Sequence, residues 1–64
     1  MKVKFNPGPS KLMVVMTLKE GLYIGLKDAK DMVDAGEFEC SEVVYPTIKK
    51  ALEKVGALDF YKAD

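Results

Sequence analysis

The sequence predicts an α+β fold: a two-layer β-α-α-β-α-β domain with a three-stranded antiparallel sheet and three helices on one face. Three observations carry that prediction. Apolar residues alternate with polar ones in three short segments, the pattern of a strand with one buried face. They recur at helical spacing in three longer segments. Glycine and proline separate these segments where the chain must turn. A chain of 64 residues is read as one domain spanning 1–64. A domain this small buries only about 60% of the surface its unfolded chain exposes, so its stability margin is thin.

Val3 and Phe5 alternate with Lys2 and Lys4, which reads as a short first strand. Asn6-Pro7-Gly8-Pro9 then breaks the chain, because proline lacks a backbone donor and glycine tolerates unusual dihedrals. Ser10 is placed to cap a helix with its hydroxyl. That helix is predicted over 11–20, with Gly21 as its stop. Its apolar residues, Leu12, Met13, Val14, Val15, Met16 and Leu18, run almost round the circumference. A helix packed on one sheet buries a single stripe, which the spacing assigns to Val14, Val15 and Leu18. Residues 22–25 connect to a second helix over 26–34. Leu26, Ala29, Met32 and Val33 form its apolar face, Lys27, Asp28, Lys30 and Asp31 face water, and Gly36 ends it. Phe38 and Cys40 alternate with Glu37, Glu39 and Ser41, a second strand running toward Val44. Pro46 suits the first turn of a third helix, where its missing N–H costs nothing. Ile48, Ala51, Leu52 and Val55 make that helix's apolar stripe, and Gly56 stops it. A final strand over 58–61 completes the sheet.

Composition excludes several functions. The chain has no His, Trp or Arg, and its ten basic residues are all lysine. Without His, the side chain that switches charge near neutral pH is absent, and with it His-based triads and metal sites. Gly21 and Gly25 read as a helix stop and an elbow, not a phosphate cradle. The sequence therefore assigns no catalytic residue, no cofactor and no metal ligand, and the reading is not an enzyme. Net charge is zero and the arginine fork for phosphate is missing, which argues against nucleic acid as a partner. The charge is divided, however: residues 1–30 carry six lysines against Glu20 and Asp28, residues 31–64 four lysines against eight acids. The longest apolar run, 12–16, falls far short of the about 20 residues that span a bilayer. The first residues do not form a signal peptide, so no membrane role is expected. Cys40 stands alone and cannot close an internal disulfide, which suits a reducing cytoplasm. It reads as a buried core thiol, because no His or Arg is available to activate it.

Two stretches carry a resemblance. The first is Gly25-Leu26-Lys27-Asp28-Ala29-Lys30-Asp31-Met32-Val33-Asp34, preceded by the lysine-led apolar helix from Lys11. The second is Lys49-Lys50-Ala51-Leu52-Glu53-Lys54-Val55-Gly56-Ala57, with Gly8 ahead of the first helix. These blocks, in this order over residues 8–57, resemble the C-terminal domain of the bacterial ribosomal stalk protein. The resemblance implies the same fold, no enzymatic activity, and a surface on the first two helices that recruits translational GTPases. Carried over position by position, that surface is Leu12, Met13, Met16, Lys19 and Lys30. Met16 stands where the family usually has lysine, so the surface is less basic and more apolar. The family protein also has an N-terminal dimerisation segment and a flexible hinge; the sequence shows neither, so the expectation is a domain acting alone. The segment between the second and third helices is shorter than in the family. The alternation of the final strand is shifted by one residue, which reads as a local loop difference.

The residues themselves leave alternatives open. Clustered exposed apolar groups mark an interface, and methionine adapts to varied partners. The same residues also fit plain burial, or self-association of the monomer into a weak homodimer through the first helix. Lys19, Lys27 and Lys30 fit either steering of an acidic partner or a solvated face with pairs Lys27–Asp31 and Lys30–Asp34. Glu37, Glu39 and Glu42 read as the solvent face of the second strand. Three functional classes follow. The first is a stalk-like domain that binds a translational GTPase, mimicking or competing with the stalk. The second is a small adaptor or inhibitor, of a kind a bacteriophage could encode, that binds an unrelated partner such as a protease-chaperone or polymerase component. The third is a self-associating structural subunit.

Overall fold

The computed structural model describes residues 1–63. Among them it forms β1 (Lys2–Asn6), α1 (Lys11–Leu22), α2 (Leu26–Ala35), β2 (Glu37–Glu39), α3 (Tyr45–Lys54) and β3 (Leu58–Lys62). This is the predicted order. The sheet runs β2-β1-β3, with β1 antiparallel to both neighbours. Alternation decides which face of β1 is covered: Val3 and Phe5 are buried, whereas Lys2, Lys4 and Asn6 are exposed. The outer face sets Lys2 opposite Glu39 and Lys4 opposite Glu37, opposite charges at directly facing positions.

The inner face carries the core. Val3, Phe5 and Phe38 meet Val14, Val15 and Leu18 of α1. Ala29 and Val33 of α2, and Ile48 and Leu52 of α3, close the cluster. Phe5 sits edge-to-face with Phe38, centroids 5.4 Å apart, and stacks on Phe60 at 5.6 Å. One aromatic from each strand thus joins the sheet from inside, in the arrangements that ring quadrupoles favour. Helix α1 packs against both α2 and α3. Among the described residues no helix is long and apolar enough to cross a membrane.

Several expectations are corrected. Helix α1 continues through Gly21 to Leu22 and ends on Tyr23, whose backbone is left-handed. Gly21 is therefore not a stop: a Cβ there would lie 2.5 Å from Ile48 Cδ1, so its lack of a side chain lets α3 approach α1. Ser10 holds the N-cap position, yet its hydroxyl makes no capping bond; its carbonyl accepts from the Val14 N–H at 3.1 Å. Leu26, expected on the covered face of α2, is 48% exposed, and that face rests on Ala29 and Val33. It opens the helix straight after the elbow.

Strand β2 ends at Glu39 and does not run on toward Val44. Ser41 folds the chain instead: its carbonyl accepts from the Tyr45 N–H at 3.2 Å and its Oγ from the Val44 N–H at 3.4 Å. Local bonds that start α3 replace ladder bonds. Glu42 accordingly lies off the strand, paired with Lys62 at 3.3 Å on the surface. The pairs Lys27–Asp31 and Lys30–Asp34 do not reach ion-pair distance in the structure. Cys40 is half-buried rather than fully buried, packed against the core from its edge. The last strand, whose alternation is shifted, carries a β-bulge against β1. Asn6 faces Leu58 while Lys4 faces Tyr61, so β3 carries one extra residue. Asp59, at φ 59, absorbs it and lets Phe60 turn inward onto Phe5.

Gly8 also has a reason. Its φ is +75°, and a Cβ would collide with the carbonyl oxygen of Gly56. The loop entering α1 thus rests directly on the loop leaving α3, which fixes where α1 begins.

Candidate protein-interaction surface

The crowded apolar helix resolves into two faces. Val14, Val15 and Leu18 are buried, whereas Leu12, Met13 and Met16 are 72%, 52% and 40% exposed. The reason is geometric. At about 100° per residue, Val14, Val15 and Leu18 fall within roughly one third of the circumference, the share that packing against the sheet and two helices covers. Leu12, Met13 and Met16 have no covering layer in the free domain, whereas Leu22, at the end of α1, packs against the core.

A groove of about 290 Å³ runs between α1 and α2. Leu12 and Val15 form one wall, Leu26 and Val33 the other, with Lys11, Lys30 and Asp34 along its edge. Leu12 and Lys30, chosen from the sequence on separate helices, are thus brought to one groove. Met16 and Lys19 do not line it. They follow Leu12 by four and seven residues, which sets all three within about 60° on the crest of α1; Lys19 is half-buried there. Met13 lies on the opposite shoulder. It stands one turn before Thr17, whose hydroxyl donates to the Met13 carbonyl at 2.8 Å. Thr17 lines a second groove of about 630 Å³ between α1 and α3, edged by Glu20, Lys50 and Lys54. The five predicted residues therefore form a strip over α1 with one flank on α2, not a single pocket.

Two residues of this region escape the sequence reading. Leu26 is misassigned because periodicity alone places it with Ala29 and Val33. Tyr23, 95% exposed, falls in what reads as a connector while Gly21 is taken for the helix end. Its spacing of four from Lys19 is the signal that a longer α1 would have revealed. Chemically, the strip offers apolar side chains already in water and a groove edged by ammonium groups. Such a surface can accept an apolar side chain and draw in carboxylates.

No family model matches the chain, and no solved structure matches it significantly. Curated relatives do. The chain is 46% identical over 56 residues to the large ribosomal subunit protein bL12 of Porphyromonas gingivalis, covering 81% of this chain and 45% of that protein. It is 46% identical over 55 residues to bL12 of Flavobacterium psychrophilum, covering 80% and 45%. With bL12 of Buchnera aphidicola the figures are 37% over 54 residues, 78% and 44%. The chain thus spans a little under half the length of the curated relatives it matches.

Proposed function

Because this chain belongs to the family of the C-terminal domain of the bacterial ribosomal stalk protein, we propose that it is a non-enzymatic docking domain that recruits a translational GTPase in the cytoplasm. The observation that carries the reading is the α1–α2 groove. It sets Leu12 beside Lys30 and adds the exposed Leu26, on the helices to which the family resemblance assigns partner binding. An apolar side chain of the partner enters the groove, and Lys11 and Lys30 at its edge hold neighbouring carboxylates. Charge of this kind speeds encounter, while the apolar contact slows release. The surface is the same whether the domain serves a stalk or competes with one. We take the domain to bind as a monomer.

Fluorescence anisotropy of the labelled domain, titrated with a purified bacterial translational GTPase bound to a non-hydrolysable GTP analogue, tests this. Saturable binding is expected. Leu12→Ser with Leu26→Ser should weaken it at least about tenfold, the scale of losing an anchor in a desolvated pocket, with melting nearly unchanged. Absence of binding by the wild type, or full binding by the double variant, would remove the proposal.

A further inference from the structure

Tyr23 is the most exposed of the large apolar side chains, at 95%, and its backbone is left-handed, φ 54 and ψ 46. Both features are unfavourable in the free domain. A Cβ is disfavoured in this region, where glycine would make the same turn freely. The cap needs no phenol: the Tyr23 N–H donates to the Lys19 carbonyl, and the Ile24 N–H reaches the same oxygen at 3.2 Å. Among the described residues the Tyr23 side chain has no hydrogen bond and no ring contact. Strain held at an exposed residue without a structural return points to a use outside the free domain.

Its place in the fold indicates that use. Tyr23 caps the C-terminal end of α1, following Lys19 by four residues and Met16 by seven. Its Cα thus stands at the end of the helix whose crest they occupy, with its side chain released from the helical path by the left-handed backbone. It also precedes Leu26, on the groove wall, by three. We propose that Tyr23 is an aromatic anchor of the α1–α2 surface, its ring entering an apolar pocket of the protein partner beside carboxylates that face Lys19. The proposal rests on the docking function above. Binding energy concentrates in Trp, Tyr and Arg, and this chain has no Trp or Arg. Of its other tyrosines, Tyr45 is half-buried against the core, and Tyr61 faces out from the sheet opposite Lys4. Charge selects the occupant. Lys11 and Lys30 edge the groove with Asp34 as the one acid, and Lys19 stands on the crest. A second copy docked symmetrically would bring these lysines together, whereas a partner with an acidic rim complements them.

The same anisotropy titration, run on wild type, Tyr23→Gly, Tyr23→Phe and Leu12→Ser, tests the anchor beside thermal melts. Tyr23→Gly should raise Tm by about 4–8 °C, the response of a domain this size to relief of one strained residue, and weaken GTPase binding at least about tenfold. Tyr23→Phe should bind within about threefold of wild type, because the ring supplies the contact. Undiminished binding by Tyr23→Gly, with Leu12→Ser impaired, would overturn the anchor and leave the docking function standing. No binding by wild type would overturn both. A lowered Tm for Tyr23→Gly would make Tyr23 a residue of the fold and end the proposal.

Discussion

Cys40 continues the β1–β2 ladder past its last paired residue, donating its N–H to the Met1 carbonyl at 3.0 Å. Partial burial raises the thiol pKa, and the nearby N-terminal amine lowers it less. A thiolate is the reactive form, so the folded domain should react with a thiol reagent more slowly than the denaturant-unfolded chain at the same pH. Rapid labelling of the native state would contradict this placement. The sign of the linkage follows. A folded pKa above the unfolded one gives stability that is complete below the unfolded thiol pKa and is lost as pH rises through the folded one. Alkaline titration of Tm should therefore fall less steeply for Cys40→Ala than for the wild type. Gly21 teaches a different lesson at this scale. A side chain there would press on the Ile48 δ-methyl, so its role is set by α3, a neighbour remote in sequence.

At the scale of the element, α1 does two jobs on opposite faces. Its inner stripe is core, and its outer one is exposed although apolar. Met13→Ser with Met16→Ser separates them. Side chains already half in water contribute little to folding, so far-ultraviolet circular dichroism and Tm should stay nearly unchanged while partner binding falls. A Tm loss of more than about 8 °C, the scale of over 1 kcal/mol in a domain this size, would show that these methionines support the fold. Helix α2 shows how an element's end differs from its middle. Ala29 and Val33 are covered by α1, whereas Leu26, one turn earlier than Ala29, is left at the groove.

Across the whole molecule, few residues carry the core. Leu52 is fully buried among them, and its carbonyl accepts from the N–H groups of Val55 and Ala57 as α3 closes. Leu52→Ala should cost roughly 2–5 kcal/mol through lost burial and the cavity left behind. A small domain has little reserve, so much of the population should unfold at moderate temperature. Chemical denaturation followed by circular dichroism would measure this, and an unchanged midpoint would show that Leu52 is not core. The molecule also keeps its charge apart from its core: among the described residues no polar or charged side chain is buried.

The sequence by itself determined the order of elements, the inward faces of β1 and α3, and the buried stripe of α1, because each is a periodicity set within one segment. It also carried the family, through the blocks starting at Gly25 and Lys49. Only the tertiary structure decided the rest. Gly21 looks like a stop until Ile48 is placed against it. The β3 bulge is invisible without the register of β1. The strand predicted toward Val44 fails because Ser41 turns the chain into α3. The groove exists because α1 and α2 pack, joining Leu12, Leu26 and Lys30 from separate segments. Local spacing tells a residue which way it faces on its own element; whether anything covers that face depends on what the rest of the chain brings to it.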